Sequence, residues 1–219
     1  MIGAIIGDVI GSTREFSPVD RRDFELFPYD ANYTDDSLMT IAQAMAFLRW
    51  LNLKDSERTE QRLIQLLVQR MQELGRRFPE PMGSYGVRFA AWLSEDSPHP
   101  YNSWGNGSAM RVSAAAECAK SLEEALKFAE ISAAVTHNHP EGIKGAQAVA
   151  AAIYLARNSR SKQEIESYIR SISILLTNRS LKSRLTIILM NPAKVRYLKL
   201  SGHLRSRLVS RTLFATPFG

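Results

Sequence analysis

Residues 32–48, "NYTDDSLMTIAQAMAFL", set Thr34, Asp35 and Asp36 directly before a run of helix-forming apolar residues. Within 34–51, Leu38, Ile41, Met45 and Leu48 recur at three- and four-residue steps, which predicts a helix with one apolar stripe. Thr34 suits its N-cap, and carboxylates in the first turn complement the positive end of the helix dipole. The same three side chains are hard oxygen donors on one backbone element, the chemistry that Mg2+ or Ca2+ prefers, although they make an incomplete shell. The roles of cap and ligand are compatible.

The flanking sequence reads as more helices. Leu63, Leu67, Met71 and Leu74 form a second stripe, which Gly75 is expected to end as a C-terminal residue. Ser121 with Glu124, and Ser161 with Glu164, are capping-box pairs, and Pro140 suits the first turn of the alanine-rich "EGIKGAQAVAAAIYLA". Alternating β-branched runs are missing from residues 1–166. The expected fold is therefore all-α and single-domain, interrupted by two long loops, "REFSPVDRRDFELFPYDANY" and "SEDSPHPYNSWGNGS". Loops of this length in a helical domain are usually functional.

Composition narrows the function classes. The formal net charge is +6 from 28 Lys and Arg against 22 Asp and Glu. Ten of those cations lie after Glu166 and no acidic residue does, so residues 1–166 carry 18 basic and 22 acidic groups, a net −4. A mildly acidic body suits a cation site better than a phosphate-backbone binder. Nucleic acid ranks last among partners, because the basic end lacks interleaved aromatic residues and any recognisable module. No stretch reaches the roughly 18 apolar residues of a membrane span. The start lacks a basic leader and carries Asp8 within its apolar run, and Cys118 is the single cysteine. A cytoplasmic protein is expected.

Three further segments carry candidate chemistry. "GAIIGDVIGSTREF" spaces Gly3, Gly7 and Gly11 along one helical face, which permits close packing; Asp8, if buried there, must find hydrogen-bond donors, and Glu15 falls where the helix gives way to loop. "SWGNGSAMRVS" puts Gly105 and Gly107 around Asn106 and then opens a helix from Ser108 to Val112. A glycine-rich turn at a helix start presents backbone N–H groups to phosphate. Without a Walker lysine or a preceding strand it is neither a P-loop nor a Rossmann turn. "VTHNHPEG" holds His137 and His139, whose spacing is no zinc signature; they read as hydrogen-bonding groups, with His137 the better candidate for a ligand contact.

In this order, "GAIIGDVIGSTREF", "YTDDSLMTIA", "GSYGVRFAAWL", "SWGNGSAMRVS" and "THNHPEGIKGAQAVAAAIYLAR" resemble the ADP-ribosylglycohydrolase family over about residues 1–170. The resemblance implies an all-helical fold with two Mg2+ ions, hydrolysing the glycosidic bond between ADP-ribose and a protein or small-molecule acceptor. It implies Thr34, Asp35 and Asp36 as metal ligands, and Glu15 and Asp36 as catalytic groups. Ser103, Trp104, Gly105, Asn106, Gly107 and His137 are implied on the substrate, the 103–108 loop at the diphosphate.

The chain departs from that pattern at its end. Family members carry a second acidic cluster, Asp-x-Asp-Ser/Thr, near the C-terminus, whereas residues 171–219 form a basic, divergent tail. Leu189 to Val195, back-translated and read one base earlier, permits Asp-Glu-Ser-Cys-Gln-Gly, which is typical of the family there. A frame-shifted tail is thus expected, with the second ligand set missing, weak metal binding and impaired hydrolysis. The alternative reading is a non-catalytic binder of ADP-ribose or another nucleotide.

Overall fold

The computed structural model describes residues 1–17 and 23–174, and the basic tail from residue 175 onward lies outside the described residues. Its elements are α1 (Ile2–Ser12), α2 (Asp35–Leu51), α3 (Glu60–Arg77), α4 (Val87–Ser94), α5 (Gly107–Met110), α6 (Ser113–Cys118), α7 (Leu122–Ala134), α8 (Pro140–Arg157) and α9 (Lys162–Ile174). Among the described residues there is no strand, only an isolated parallel bridge between Thr34 and Met82. The all-α expectation holds. No helix among these residues is long and apolar enough to cross a membrane.

Capping residues set the helix starts as the sequence predicts. Thr34 Oγ1 accepts from Asp36 N at 3.2 Å, Ser121 Oγ from Glu124 N at 3.0 Å, and Ser161 Oγ from Glu164 N at 3.2 Å. Glu164 completes its box by accepting from Ser161 N at 2.7 Å, while Glu124 reaches back one residue further, to Lys120 N. Helix α2 packs along α3, and α7 along α8; α5, α6 and α9 also lean on α8, while α1 rests on α2. The main core runs from Leu38, Met39 and Phe47 through Leu63, Leu67 and Met71 to Trp92, Ala115 and Phe128. Ala148, Ala151, Ile165 and Ile169 make a smaller core beneath α9.

Three expectations are corrected. Of the predicted α2 stripe, Leu38 is buried and Met45 packs against the core, but Ile41 and Leu48 are 37% and 45% exposed, and Met39, Ala42, Gln43, Ala46 and Phe47 are buried instead. Gly75 does not end α3, which continues to Arg77. It is glycine because a Cβ there would stand 2.5 Å from Leu93 Cδ2, so α4 crosses α3 at that point. At two of the three α1 glycines the expected close packing is absent among the described residues: a Cβ on Gly7 or Gly11 would meet nothing within 4 Å.

Candidate active site

The mouth of α2 is assembled by a residue of α1. Asp8 Oδ2 accepts from Thr34 N at 2.9 Å, Ser37 N at 3.1 Å and Ser37 Oγ at 2.5 Å, and Oδ1 accepts from Thr34 Oγ1 at 2.6 Å. The carboxylate inside the apolar run thus finds its donors at the amino end of the next helix. These bonds answer the cost of withdrawing a charge from water, and they fix α1 to α2. Thr34 and Ser37 are buried, while Asp35 and Asp36 are half-buried at the same edge.

Glu15 comes back to this edge from beyond the end of α1. Its charge and that of Asp8 both act on Asp35, whose pKa is pushed up to about 6, chiefly by burial and then by these two carboxylates. A second wall comes from the Met82–Tyr85 turn. Gly83 has φ +81°, a conformation that favours glycine, and a Cβ there would stand 2.7 Å from Glu15 Oε2, which brings the Glu15 carboxylate against this turn. The Thr34–Met82 bridge holds this turn against the start of α2. Tyr85 donates to Phe78 O at 2.9 Å; burial, then the charge of Asp35, lifts its pKa to about 12.

The glycine turn carries the other group of candidate residues. Gly107 faces His137 closely enough that a Cβ would lie 3.0 Å from both Cε1 and Nε2, and Gly105 lies 3.8 Å from Nε2 on the same measure. Gly142 lets the loop pass, since a Cβ there would come 2.7 Å from Ser103 O, and Ser108 Oγ donates to Gly142 O at 2.8 Å. Trp104 is 59% exposed with its ring against His139, at 6.0 Å between centroids. The expected helix from Ser108 to Val112 is corrected: α5 is one turn, Gly107–Met110, and the chain restarts as α6 at Ser113. One turn has little macrodipole, so an anion at this turn would meet individual N–H groups rather than a helix dipole.

Both histidines form hydrogen bonds, as expected. His139 is the N-cap of α8, its Nδ1 accepting from Glu141 N at 3.1 Å. His137 is 5% exposed, with Nδ1 2.7 Å from Thr136 Oγ1. Burial, helped by the charges of Arg111 and Arg88, pushes its pKa down to about 3, so the ring is neutral at physiological pH. Arg111 is 1% exposed, donates from Nη2 to Thr136 Oγ1 at 2.6 Å, and lies 5.7 Å from the centre of the Phe89 ring. With the Gln43 amide turned to satisfy its neighbours, its oxygen accepts from Arg111 Nε at 2.8 Å. The charge of Arg111 reaches Asp35 as well as Tyr101, and Thr40 Oγ1 donates to Met110 O at 3.4 Å, so mouth and turn share one framework.

The geometry thus brings Glu15, Thr34, Asp35 and Asp36 to one edge and Ser103, Gly105, Gly107 and His137 to another, with Trp104 and Asn106 on the exposed rim. For a divalent cation the donors fit in part. A hydroxyl and two carboxylates lie on one helix start, and the crowding that lifts Asp35 is what a cation would relieve. Among the described residues, however, no group of three or more His, Cys, Asp or Glu side chains could hold a metal ion. Asp8, the Gly83 turn, Tyr85, Arg111 and Thr136 are the site residues that the sequence did not assign. Asp8 was signalled by its place inside an apolar helix; Gly83, Tyr85, Arg111 and Thr136 lie inside the quoted segments, but nothing local to them marks a role.

Comparison with known protein families matches the chain to the family described as ADP-ribosylglycohydrolase, over residues 1–208. No curated protein matches the chain.

Proposed function

The chain belongs to the ADP-ribosylglycohydrolase family, and on that premise we propose that it binds ADP-ribose across the two edges of the site and is built to act on the bond between the ribose and its acceptor. The observation that carries this reading is the convergence of Glu15 and Asp35, from separate elements, at the start of α2. Cleaving a ribosyl bond builds positive charge at the anomeric carbon. A carboxylate held there would stabilise that charge or take the proton of the attacking water, and Glu15 and Asp36 are the groups to which this reading gives those roles. The 103–108 turn and His137 would receive the diphosphate, and the exposed Trp104 ring offers an apolar face beside them.

Thr34, Asp35 and Asp36 would hold Mg2+ from one side. When bound, the ion supplies charge that orients ribose hydroxyls and acidifies a water. The chain has no acidic residue after Glu166 to complete the shell. Loss of even supporting groups around a metal commonly costs about 10- to 100-fold in affinity or activity. Weak Mg2+ binding and impaired hydrolysis therefore belong to the proposal. The lack of a three-residue metal cluster among the described residues favours a second reading, a nucleotide binder without turnover.

Calorimetry with ADP-ribose, with and without Mg2+, tests both. Binding with little or no release of ADP-ribose from a modified acceptor is the expected result. Robust Mg2+-dependent release would remove the impairment, and absence of any ADP-ribose binding would remove the reading itself.

A further inference from the structure

Behind the glycine turn lies a buried relay that the reaction scheme above leaves without a role. Arg111, Thr136 and His137 are all buried, and Thr136 has no exposed surface. Its hydroxyl has one hydrogen and two acceptor sites. A guanidinium only donates, so the 2.6 Å contact from Arg111 Nη2 takes one acceptor site and cannot receive the hydroxyl hydrogen. That buried hydrogen still needs an acceptor, and His137 Nδ1 stands 2.7 Å away. A neutral imidazole nitrogen is a strong acceptor. The arrangement that satisfies all three groups has Arg111 donating to Thr136, and Thr136 donating to His137 Nδ1.

We propose that Arg111 is a positioning residue acting through Thr136: by occupying one acceptor site it turns the hydroxyl hydrogen toward His137 Nδ1, and so holds the ring in the tautomer that presents Nε2–H to the 105–107 turn. The proposal deepens the reading of this turn as a phosphate-receiving surface and rests on that reading for its functional meaning. An imidazole with a lone pair facing the turn would repel an anion; one with N–H there adds a donor beside the backbone groups. The positive charge behind it adds to the attraction without touching the ligand. Burial already keeps the ring neutral, so the relay decides where its one proton sits rather than whether a second one binds.

Nitrogen NMR of the full chain carrying 15N-labelled histidine tests this, with His137→Gln to assign the signal and inorganic pyrophosphate as the binding probe in calorimetry. In the wild type, the expected pattern is a protonated Nε2 and a hydrogen-bonded, unprotonated Nδ1. Thr136→Val should move Nδ1 toward the shift of an unbonded nitrogen and weaken pyrophosphate about tenfold or more, while Thr136→Ser keeps both. Arg111→Met, which frees the hydroxyl to accept, should bring in the second tautomer; should that variant not fold, the Thr136 pair decides alone. A wild-type ring protonated at Nδ1, or a Thr136→Val chain with unchanged nitrogen shifts, overturns the relay. The expected nitrogen pattern without binding of pyrophosphate or ADP-ribose leaves the relay supported and removes the functional reading instead.

Discussion

Replacing Asp8 separates its charge from its oxygen atoms. In Asp8→Ala, the N–H groups of Thr34 and Ser37 lose an acceptor at 2.9 and 3.1 Å, and two hydroxyls lose one at 2.6 and 2.5 Å. The hydroxyls can turn to other partners; the two amides, fixed at the start of α2, cannot. A hydrogen bond to a charged group contributes about 1.5–3 kcal/mol, and loss of a helix cap costs roughly 0.5–2 kcal/mol. Since the donors share one carboxylate, the terms overlap, and a total near 3 kcal/mol is expected for alanine. In Asp8→Asn, one carbonyl oxygen can keep both amides while the NH2 faces Thr34 Oγ1. The loss is then mainly the charge beside the helix start, about 1 kcal/mol. Urea unfolding followed by circular dichroism measures both, and hydrogen exchange at the Ser37 amide reports the site directly. If alanine and asparagine cost the same, or alanine costs under about 0.5 kcal/mol, Asp8 does not hold α2 and the account of the mouth is wrong.

Three further measurements probe other parts of the structure. Gly75→Ala should gain about 1 kcal/mol of helix propensity yet lose more to the clash with Leu93, for a net loss near 1 kcal/mol that Leu93→Ala relieves in the double variant, read by unfolding. Asp35, raised to about 6 from its usual value near 4, makes the folded state lose stability as pH rises between those values. In metal-free buffer at pH 7, Asp35→Asn should thus be about 1 kcal/mol more stable than wild type after allowance for solvent screening; the gain should vanish near pH 4 and give way to a deficit when Mg2+ is added. His137, depressed to about 3 from about 6.5, has the opposite sign: its share of stability is complete above pH 6.5 and falls as pH drops. Between pH 7 and 5 the wild type should lose about 2 kcal/mol more than His137→Gln in the same unfolding assay.

Short-range chemistry made the elements legible. Thr34, Ser121, Ser161 and Pro140 act within one helical turn, so their side chains announce the starts of α2, α7, α9 and α8 in the sequence itself. The face of α2 was misjudged because the large residues Ile41 and Leu48 outweighed alanines in the pattern. Ala42 and Ala46 are the fully buried ones, since small side chains let neighbouring helices come close. Gly75 looked like a terminator for a similar reason. Its meaning lies with Leu93, 18 positions away, and no local pattern contains that contact. The site divides the same way. The Thr34–Asp36 triplet and the glycine turn are contiguous and visible. Asp8 with Ser37, Glu15 with Gly83, and Arg111 with Thr136 are partners only after folding.

Under the proposed function, that pattern of contacts separates binding from turnover. Asp8 secures the α2 mouth; Ser108 and Gly142 secure the glycine turn; Arg111 and Thr136 secure the histidine behind it. All of these bonds join residues between 8 and 142, and the small core of α7, α8 and α9 backs them up to Ile169. The proposed hydrogen-bonded surface for a diphosphate would need only those groups. Closing a cation shell needs more carboxylates than the start of α2 provides, because three oxygen donors on one helix end cover one side of an ion that takes six. Under the proposed function, removing ligands beyond α9 therefore lowers the rate of bond cleavage long before it lowers affinity for the nucleotide. The two quantities should respond to different residues: Thr136 and His137 for affinity, Asp35 and Glu15 for the response to Mg2+.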